Sequence, residues 1–303
     1  MSVIVHQPLR GILDRDLATA ETNELSVKYS PYLQELVNYS TNLLARCEQS
    51  LGGIPGSPVS LIHLYYHAIQ MTDGIEVLAR SCCFASAIPL ERSLLETALS
   101  IDFILQEDFA NRSTAWLVAS YLDRFAQINA AILSTPQNEQ LLKKIAKDRF
   151  PDTSFFYRID QSALQKQTDT LSGILSKTKF ATIAALFKGK NKLTRWYQIN
   201  DGPRNLEQMA ERLGRTSEYV FLYKQASELA HACDSERMLQ QVDGVGVITP
   251  LRPGTGMMES LYRSTSSLIV ISSVLVAARL RPEEDVRGHL KEIMSRHRPE
   301  MLG

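Results

Sequence analysis

The sequence predicts an all-α protein, a single helical bundle domain with a peripheral helical excursion. Apolar residues recur at steps of three and four along most of the 303-residue chain, which is the period of an amphipathic helix. Proline and glycine separate these stretches, as expected at helix boundaries. Hydrophobic residues make up 44% and charged residues 22% of the chain. A chain of this length and composition can bury a core that needs no disulfide or metal support.

The first half of the chain predicts four core helices. The second of them starts after Pro58, because apolar positions from Leu61 to Cys82 recur at alternating steps of four and three. Pro89 is expected to open the third helix, since its missing N–H costs nothing in a first turn. Asn111 to Ser113 offer capping side chains for the fourth. We place these helices at 29–50, 58–84, 88–107 and 111–134.

The second half predicts a peripheral segment followed by two more core helices. Polar helices near 137–148 and 158–187 belong to the segment 135–200. A turn at Asp201 to Pro203 precedes a short helix that Gly214 ends. A glycine- and proline-rich connection with a short β-like piece at 245–248 separates the last core helices, and an amphipathic helix begins at Pro282. The core helices are 216–234 and 257–281, and the predicted domain is 1–303, with a core of 29–134 and 204–298.

Charge and composition exclude several classes of protein. The 33 basic and 33 acidic residues give a net charge of zero, which argues against a surface that binds polyanions everywhere. Four cysteines without CxxC spacing argue against a zinc or redox site. The apolar run from Leu268 to Ala278 is shorter than the roughly 20 residues that a bilayer core requires. The start of the chain lacks the apolar run of a secretory signal. We therefore expect a cytoplasmic protein without a membrane segment.

Two charged residues, Arg92 and Glu96, lie four apart inside the most apolar helix. Their side chains fall near those of Leu99 and Phe103 on a face that otherwise favours burial. A lone charge there costs several kcal/mol, and pairing offsets only part of that cost. Two interpretations stay open: an ion pair that fixes helix register, or a polar pocket inside the bundle.

The predicted helix 216–234 carries a polar ridge whose side chains are candidate partners of Arg92 and Glu96. Tyr223, Ser227 and His231 recur every four residues, so their side chains share one slowly drifting face. If this ridge forms hydrogen bonds to Arg92 and Glu96, His231 is placed to act as an acid or base. The alternative for His231 is a structural histidine. The candidate site comprises Arg92, Glu96, Tyr223, Ser227 and His231.

A second candidate region is basic and lies between Thr170 and Asn200. The stretch contains six positive charges and no acidic residue, and Trp196 and Tyr197 follow directly. Charge beside stacking surface is typical of nucleic-acid contacts, although a solvated loop has the same composition. The predicted contacts are Lys188, Lys190, Lys192, Arg195 and Trp196.

The sequence gives little support for a metal site or a cofactor site. His63 and His67 are spaced to share a metal if a third ligand such as Glu96 joins them, but no HExxH arrangement surrounds them, so a hydrogen-bonding role is favoured. The chain lacks a phosphate loop, a dinucleotide-binding glycine motif, a nucleophile elbow and an EF-hand loop. We expect no cofactor.

Several short motifs carry a resemblance to a known family. They are Gly74-x5-Arg80, the stretch from Leu90 to Glu96, Trp196, the stretch from Glu207 to Gly214, and the Tyr223/Ser227/His231 ridge. Over about 60–235, the chain resembles the bacterial helical domain-of-unknown-function family number 5677. The resemblance implies an all-α bacterial cytosolic protein in which Arg92, Glu96, Tyr223, Ser227 and His231 face one another. It supplies no activity.

Two functional hypotheses are compatible with these patterns. The first is a binding or interaction component, for example of a bacterial defence or stress system, with a polar pocket at the candidate site. The second is a metal-independent ribonuclease with His231 as acid or base and Arg92 stabilising phosphate charge. It draws on the similarity of such helical families to HEPN domains, many of which are ribonucleases. Those enzymes place a histidine four to six residues after an arginine, a spacing that this chain lacks. Expected partners are RNA or a small molecule, and a second copy of the chain in a homodimer.

Overall fold

The computed structural model confirms the all-α fold class and adds one short β-hairpin. It describes residues 15–53, 57–189, 192–224, 226–227, 239–242, 244–248 and 258–302. The α-helices in order are α1 (Arg15–Gln49), α2 (Val59–Arg80), α3 (Phe84–Gln106), α4 (Phe109–Ala131), α5 (Pro136–Ile145), α6 (Ser154–Arg158), α7 (Gln161–Leu175), α8 (Thr178–Leu186), α9 (Leu206–Arg212), α10 (Thr216–Glu218), α11 (Met258–Leu280) and α12 (Val286–Leu302). The antiparallel strands β1 (Leu239–Val242) and β2 (Val245–Ile248) form the hairpin, at the predicted β-like piece.

The chain divides into two compact units. Unit 1 comprises residues 1–54, 61–105 and 206–303, and unit 2 comprises 55–60 and 106–205. Helix α4, which the sequence assigned to the bundle core, therefore belongs to unit 2 together with the segment 135–200. The single-domain organisation stays a prediction.

Unit 1 is built around α1, which packs against α11 and α12. Leu33, Leu36 and Leu43 of α1 are fully buried, and their spacing of three and seven places them on one helix face. A chain of hydroxyl groups crosses this core, because Ser273 of α11 bonds to Tyr65 of α2 at 2.7 Å and to Ser40 of α1 at 3.2 Å. The buried hydroxyls are thereby satisfied, as burial requires.

Unit 2 is built around α4, which packs against α5, α7 and α8. Its small core is formed by Ala115 and Val118 of α4, Ile183 and Ala184 of α8, and Ile199. A tight turn closes the chain after this core: Asn200 and Asp201 both have positive φ, and the Gly202 N–H bonds to the Ile199 carbonyl at 3.1 Å. A Cβ on Gly202 would lie 1.8 Å from the carbonyl oxygen of Tyr197, so only glycine fits there.

Three predicted starts of core helices differ from the structure by more than one residue: α1 begins at Arg15 instead of 29, α3 at Phe84 instead of 88 and α4 at Phe109 instead of 111. Helix α3 begins at Phe84 and contains Pro89, which the sequence placed at its start. The chain turns between α2 and α3 because Cys82 adopts positive φ, a conformation that a cysteine does not signal. Likewise, Asp108 is the N-cap of α4, so Asn111 to Ser113 lie inside its first turns.

Helix α11 is long and apolar enough to meet a membrane-span criterion. An 18-residue window of this 23-residue helix has a mean hydropathy of 1.5, and 56% of that window is buried inside the protein. Leu268, Ile269, Val276 and Ala277 of its apolar run are among the core residues. Within the described part of the chain, this helix alone meets the criterion.

Candidate functional site

Helix α3 carries Arg92 and Glu96 at the edge of the unit 1 core. The Arg92 Nε lies 3.3 Å from the Glu96 Oε1, and the two side chains are 24% and 45% exposed. The ion pair that the sequence predicted therefore exists, but it is half open to solvent and lies outside the sealed interior. Glu96 is half exposed, whereas Arg92 is mostly covered.

A π-helix over Tyr219–Lys224 brings Tyr223 to this pair. The Arg92 Nη2 donates to the Tyr223 hydroxyl at 2.7 Å, and the guanidinium carbon lies 4.4 Å from the centre of the tyrosine ring. The sequence predicted a regular α-helix here. A π-helix is rare and frequently marks a functional site, and no residue pattern in 216–234 indicates one.

A stack of two rings flanked by two cations extends from Arg92 along the π-helix. Tyr223 stacks on Tyr219 with ring centres 5.0 Å apart, and Lys224 lies 5.5 Å from the Tyr219 ring. Lys224 also pairs with Glu207 of α9 at 3.0 Å. We call Arg92, Glu96, Tyr219, Tyr223, Lys224 and Glu207 the stacked cluster.

Further contacts fix this region against the other half of α3. The buried Arg215 donates to Glu218 at 3.0 Å and lies 3.8 Å from the Asp102 carboxylate, while the Arg212 guanidinium lies 5.8 Å from the Phe103 ring. Burial raises the pKa of Asp102 despite the nearby Arg215. The segment that presents Tyr223 is thus held along most of the length of α3.

Electrostatic effects tie the three central groups of the stacked cluster together. Burial raises the pKa of Tyr223, although Arg92 acts in the opposite direction, and a hydrogen bond to Glu96 raises it further. Burial alone would lower the pKa of Arg92, but the hydrogen bond to Tyr223 and the Glu96 carboxylate outweigh it and raise that pKa. The Tyr223 hydroxyl therefore stays protonated. Arg92 is thus paired with both a hydroxyl and a carboxylate.

The structure brings together three of the five predicted site residues. Arg92, Glu96 and Tyr223 are in contact. Ser227 is half-buried in a short helical stretch at 226–227, and no contact with Arg92 or Glu96 is described for it. His231 lies outside the described residues, so its predicted role stays a prediction.

Sequence reasoning missed one buried acid beside this site. The Glu91 side chain is 6% exposed, and its carboxyl accepts a hydrogen bond from Ser264 of α11. Burial raises the pKa of Glu91 to about 7, although the bond to Ser264 opposes the shift. The signal was present in the sequence: Glu91 shares the i, i+3, i+4, i+7 face of Leu94, Leu95 and Ala98, all of which are buried.

His63 and His67, the less favoured candidate for a metal site, lie on α2. His67 Nε2 lies 2.9 Å from the Ser93 hydroxyl of α3, a contact that joins the two helices. Among the residues that the structure describes, no three histidine, cysteine or acidic side chains group as metal ligands.

The residues predicted to contact nucleic acid differ in their exposure to solvent. Lys188, Lys192 and Arg195 are exposed, while Trp196 is half-buried and packs against the small core of unit 2. Its indole is therefore part of the packing rather than an open stacking surface. Lys190 lies outside the described residues.

The fold and the site define an all-helical protein with a half-open cluster of arginine, tyrosine and carboxylate on a core helix. The chain belongs to the family of unknown function DUF5677, whose family model matches residues 59–239. This match confirms the resemblance and includes every residue of the stacked cluster. No curated protein and no solved structure matches the chain.

The contact between Arg92 and Tyr223 is expected to stabilise unit 1 by about 1 kcal/mol, since it combines a charged hydrogen bond with a half-exposed cation–π contact. A double-mutant cycle of Arg92→Met and Tyr223→Phe, followed by urea unfolding in far-UV circular dichroism, measures this coupling. The exposed pair Glu259 and Arg263 serves as the control, with an expected coupling below about 0.5 kcal/mol. A coupling of zero for Arg92 and Tyr223 would contradict the assigned contact.

Proposed function

We propose that the chain is a binding protein whose stacked cluster takes a small phosphate-bearing ligand. The observation that carries this proposal is the Arg92 guanidinium, which donates to the Tyr223 hydroxyl at 2.7 Å and lies 3.3 Å from the half-exposed carboxylate of Glu96. A guanidinium beside a hydroxyl forms a suitable receptor for an oxyanion. Glu96 occupies the place that a ligand anion would take.

Arginine favours phosphate for a geometric reason. Its planar fork presents several N–H groups, and a phosphate offers three acceptor oxygens to this fork and to the tyrosine hydroxyl. A single carboxylate, which Glu96 supplies at 3.3 Å, leaves part of the fork unused. A phosphate that displaces Glu96 therefore gains interactions that the free protein lacks.

Thermal denaturation in inorganic phosphate, against chloride of equal ionic strength, tests this proposal. Binding to the folded state raises the midpoint of unfolding by mass action, and a parallel series with 5′-AMP shows whether a phosphate monoester is preferred. We expect stabilisation of the wild type and its loss in Arg92→Met. Arg263→Met is the control, because Arg263 also pairs with a half-exposed glutamate four residues away, Glu259, in unit 1.

The substitution Glu96→Gln makes the test sharper. Removal of the competing negative charge is expected to tighten phosphate binding about three- to tenfold, whereas a site unrelated to Arg92 would not respond. Phosphate stabilisation that is equal in Arg92→Met and Arg263→Met would overturn the proposal.

A metal-independent ribonuclease is the second candidate function. The same two donors suit a non-bridging oxygen of an RNA phosphodiester, and His231 would supply the acid or base. Incubation of the purified protein with RNA tests this candidate. Cleavage that disappears in both His231→Ala and Arg92→Met would support it, and cleavage that persists in His231→Ala would exclude that residue as the base.

The biological setting and the assembly stay predictions. A role in a bacterial defence or stress system, a cytoplasmic location and a homodimer rest on sequence reasoning. Light scattering after size exclusion measures the oligomeric state directly.

A further inference from the structure

A pocket between α1 and the last turn of α2 lies in unit 1 and shares no residue with the stacked cluster. Its volume is about 310 Å³, at the small end of the range for ligand pockets. Helix α2 contributes Arg80, and α1 contributes uncharged side chains that include Val27, Pro31 and Gln34. Among the lining residues that the structure describes, Arg80 alone is charged. The pocket therefore presents a single cation on otherwise uncharged walls.

A buried acid fixes the position of Arg80. The Arg80 Nε donates to the Glu76 Oε1 at 3.1 Å, and the Gln34 Nε2 donates to the same oxygen at 2.9 Å. The Glu76 side chain is 3% exposed, whereas that of Arg80 is 53% exposed. An arginine that is free in water loses side-chain entropy when it binds a ligand. Because Glu76 already restrains Arg80, less of that entropy remains to be lost.

The terminal nitrogens of Arg80 are available to a ligand. Its ion pair with Glu76 uses the Nε, and in the described part of the chain no hydrogen bond from Nη1 or Nη2 accompanies it. These two groups form a planar fork whose spacing matches the two oxygens of one carboxylate. The pocket thus holds a preformed receptor for a carboxylate.

The α1 wall of the pocket favours an apolar ligand body. Val27 is 63% exposed although its side chain is a large hydrophobic one, and Pro31 follows one helical turn later. The hydroxyls of Ser26 and Ser30 lie 3.4 Å apart, and Ser30 also bonds to the Tyr262 hydroxyl at 2.5 Å. Since these hydroxyls already have partners inside the protein, the surface left to a ligand is chiefly that of Val27 and Pro31, which gains from being covered.

We propose that this pocket binds a small monocarboxylate with an apolar body. The carboxylate accepts from Nη1 and Nη2 of Arg80, and the hydrocarbon part covers Val27 and Pro31. A dianionic phosphate fits less well, because Glu76 offsets the charge of Arg80 and no second cation among the described residues lines the pocket. The proposal gives a role to Arg80 of the Gly74-x5-Arg80 motif, and it is independent of the phosphate site proposed at Arg92.

Ligand-observed NMR on the full-length protein, with acetate, 4-methylpentanoate and phenylacetate as probes, tests this proposal. We expect 4-methylpentanoate and phenylacetate to bind more tightly than acetate, because they bury more apolar surface. Phenylacetamide has the same body without the charge and should bind about tenfold more weakly than phenylacetate. Inorganic phosphate at the same concentration should not displace the acids.

Two variants assign the binding to this pocket. Arg80→Lys keeps the positive charge beside Glu76 but lacks the planar fork, and it should weaken phenylacetate binding about three- to tenfold. Val27→Glu places a competing carboxylate on the wall and should weaken it by a similar factor. This variant should fold, since Val27 is exposed. The matched control is Val59→Glu, the same change at the first residue of the 22-residue helix α2, roughly 32 Å from Arg80.

Phenylacetate binding that weakens in Arg80→Lys and Val27→Glu but not in Val59→Glu supports the proposal. Binding that is retained in these two variants and lost in Arg92→Met would overturn it in favour of the stacked cluster. Equal binding of phenylacetate and phenylacetamide would overturn the role of Arg80. Phosphate that displaces the acids in the wild type but not in Arg80→Lys would overturn it in favour of a phosphate pocket. If none of the three acids binds, the proposal is wrong.

Discussion

Replacement of Glu91 by glutamine is expected to stabilise the protein at pH 8 by about 3 kcal/mol and to leave its stability at pH 4.5 nearly unchanged. The cause is the burial of this carboxyl between α3 and α11, with Ser264 as its hydrogen-bond partner. Glutamine keeps the size and the hydrogen-bonding capacity of the side chain but never ionises. It therefore removes only the cost of a buried negative charge.

The sign of this pH dependence follows from the pKa of Glu91, which burial raises to about 7 from an ordinary value of 4.5. Below pH 4.5 the folded and unfolded states both hold the proton. Between pH 4.5 and 7 the folded state keeps it while the unfolded state releases it, so the free energy of unfolding falls as pH rises. Above pH 7 both states are ionised and the full penalty of the buried charge remains.

Urea unfolding of both proteins at pH 4.5 and pH 8, followed by far-UV circular dichroism, measures this difference. Glu96→Gln is the control on the same helix, because Glu96 is half exposed and an exposed pair contributes less than about 1 kcal/mol. A difference between Glu91→Gln and wild type that is equal at the two pH values would contradict the buried-charge explanation.

The substitution Gly202→Ala is expected to destabilise unit 2 by about 3 kcal/mol or more. The added methyl group would lie 1.8 Å from the Tyr197 carbonyl oxygen and 3.0 Å from that of Ile199. Both contacts are with backbone, so no side-chain rotation relieves them. The turn at 199–202 would have to open, and Ile199 would lose its place in the small core.

Tryptophan fluorescence reports this effect selectively, because both tryptophans of the chain, Trp116 and Trp196, belong to unit 2. The urea midpoint seen by fluorescence should fall in Gly202→Ala. Gly173→Ala is the matched control: Gly173 lies in α7 with no atom near its missing Cβ, and alanine there should stabilise the helix by about 0.5–1 kcal/mol. Equal midpoints for the two variants would rule out the steric argument.

Helix existence could be read from the sequence, and the reasons are local. Pro58 precedes the start of α2, and Gly214 adopts positive φ just after α9, as these residue types favour. The turn between α2 and α3 was misplaced because it depends on Cys82 at positive φ, a conformation imposed by packing. Propensity could not reveal it.

The site was predictable in part for a similar reason. The helical period predicted that Arg92 and Glu96 share one face of a helix. It also predicted a tyrosine from a second segment as their partner. The burial of Glu91 was also readable, from the apolar face that it shares with Leu94 and Leu95.

The π-helix at Tyr219–Lys224 also suggests how the site can arise or disappear in evolution. A π-helical turn contains one residue more than the α-helical turn that it replaces, and each added residue rotates the rest of the helix by about 100°. Family members that lack this extra residue should show a one-residue gap here when aligned, and their tyrosine would face away from the position of Arg92. Such an insertion would let evolution gain or lose the site in a single step, with no change to any of its side chains.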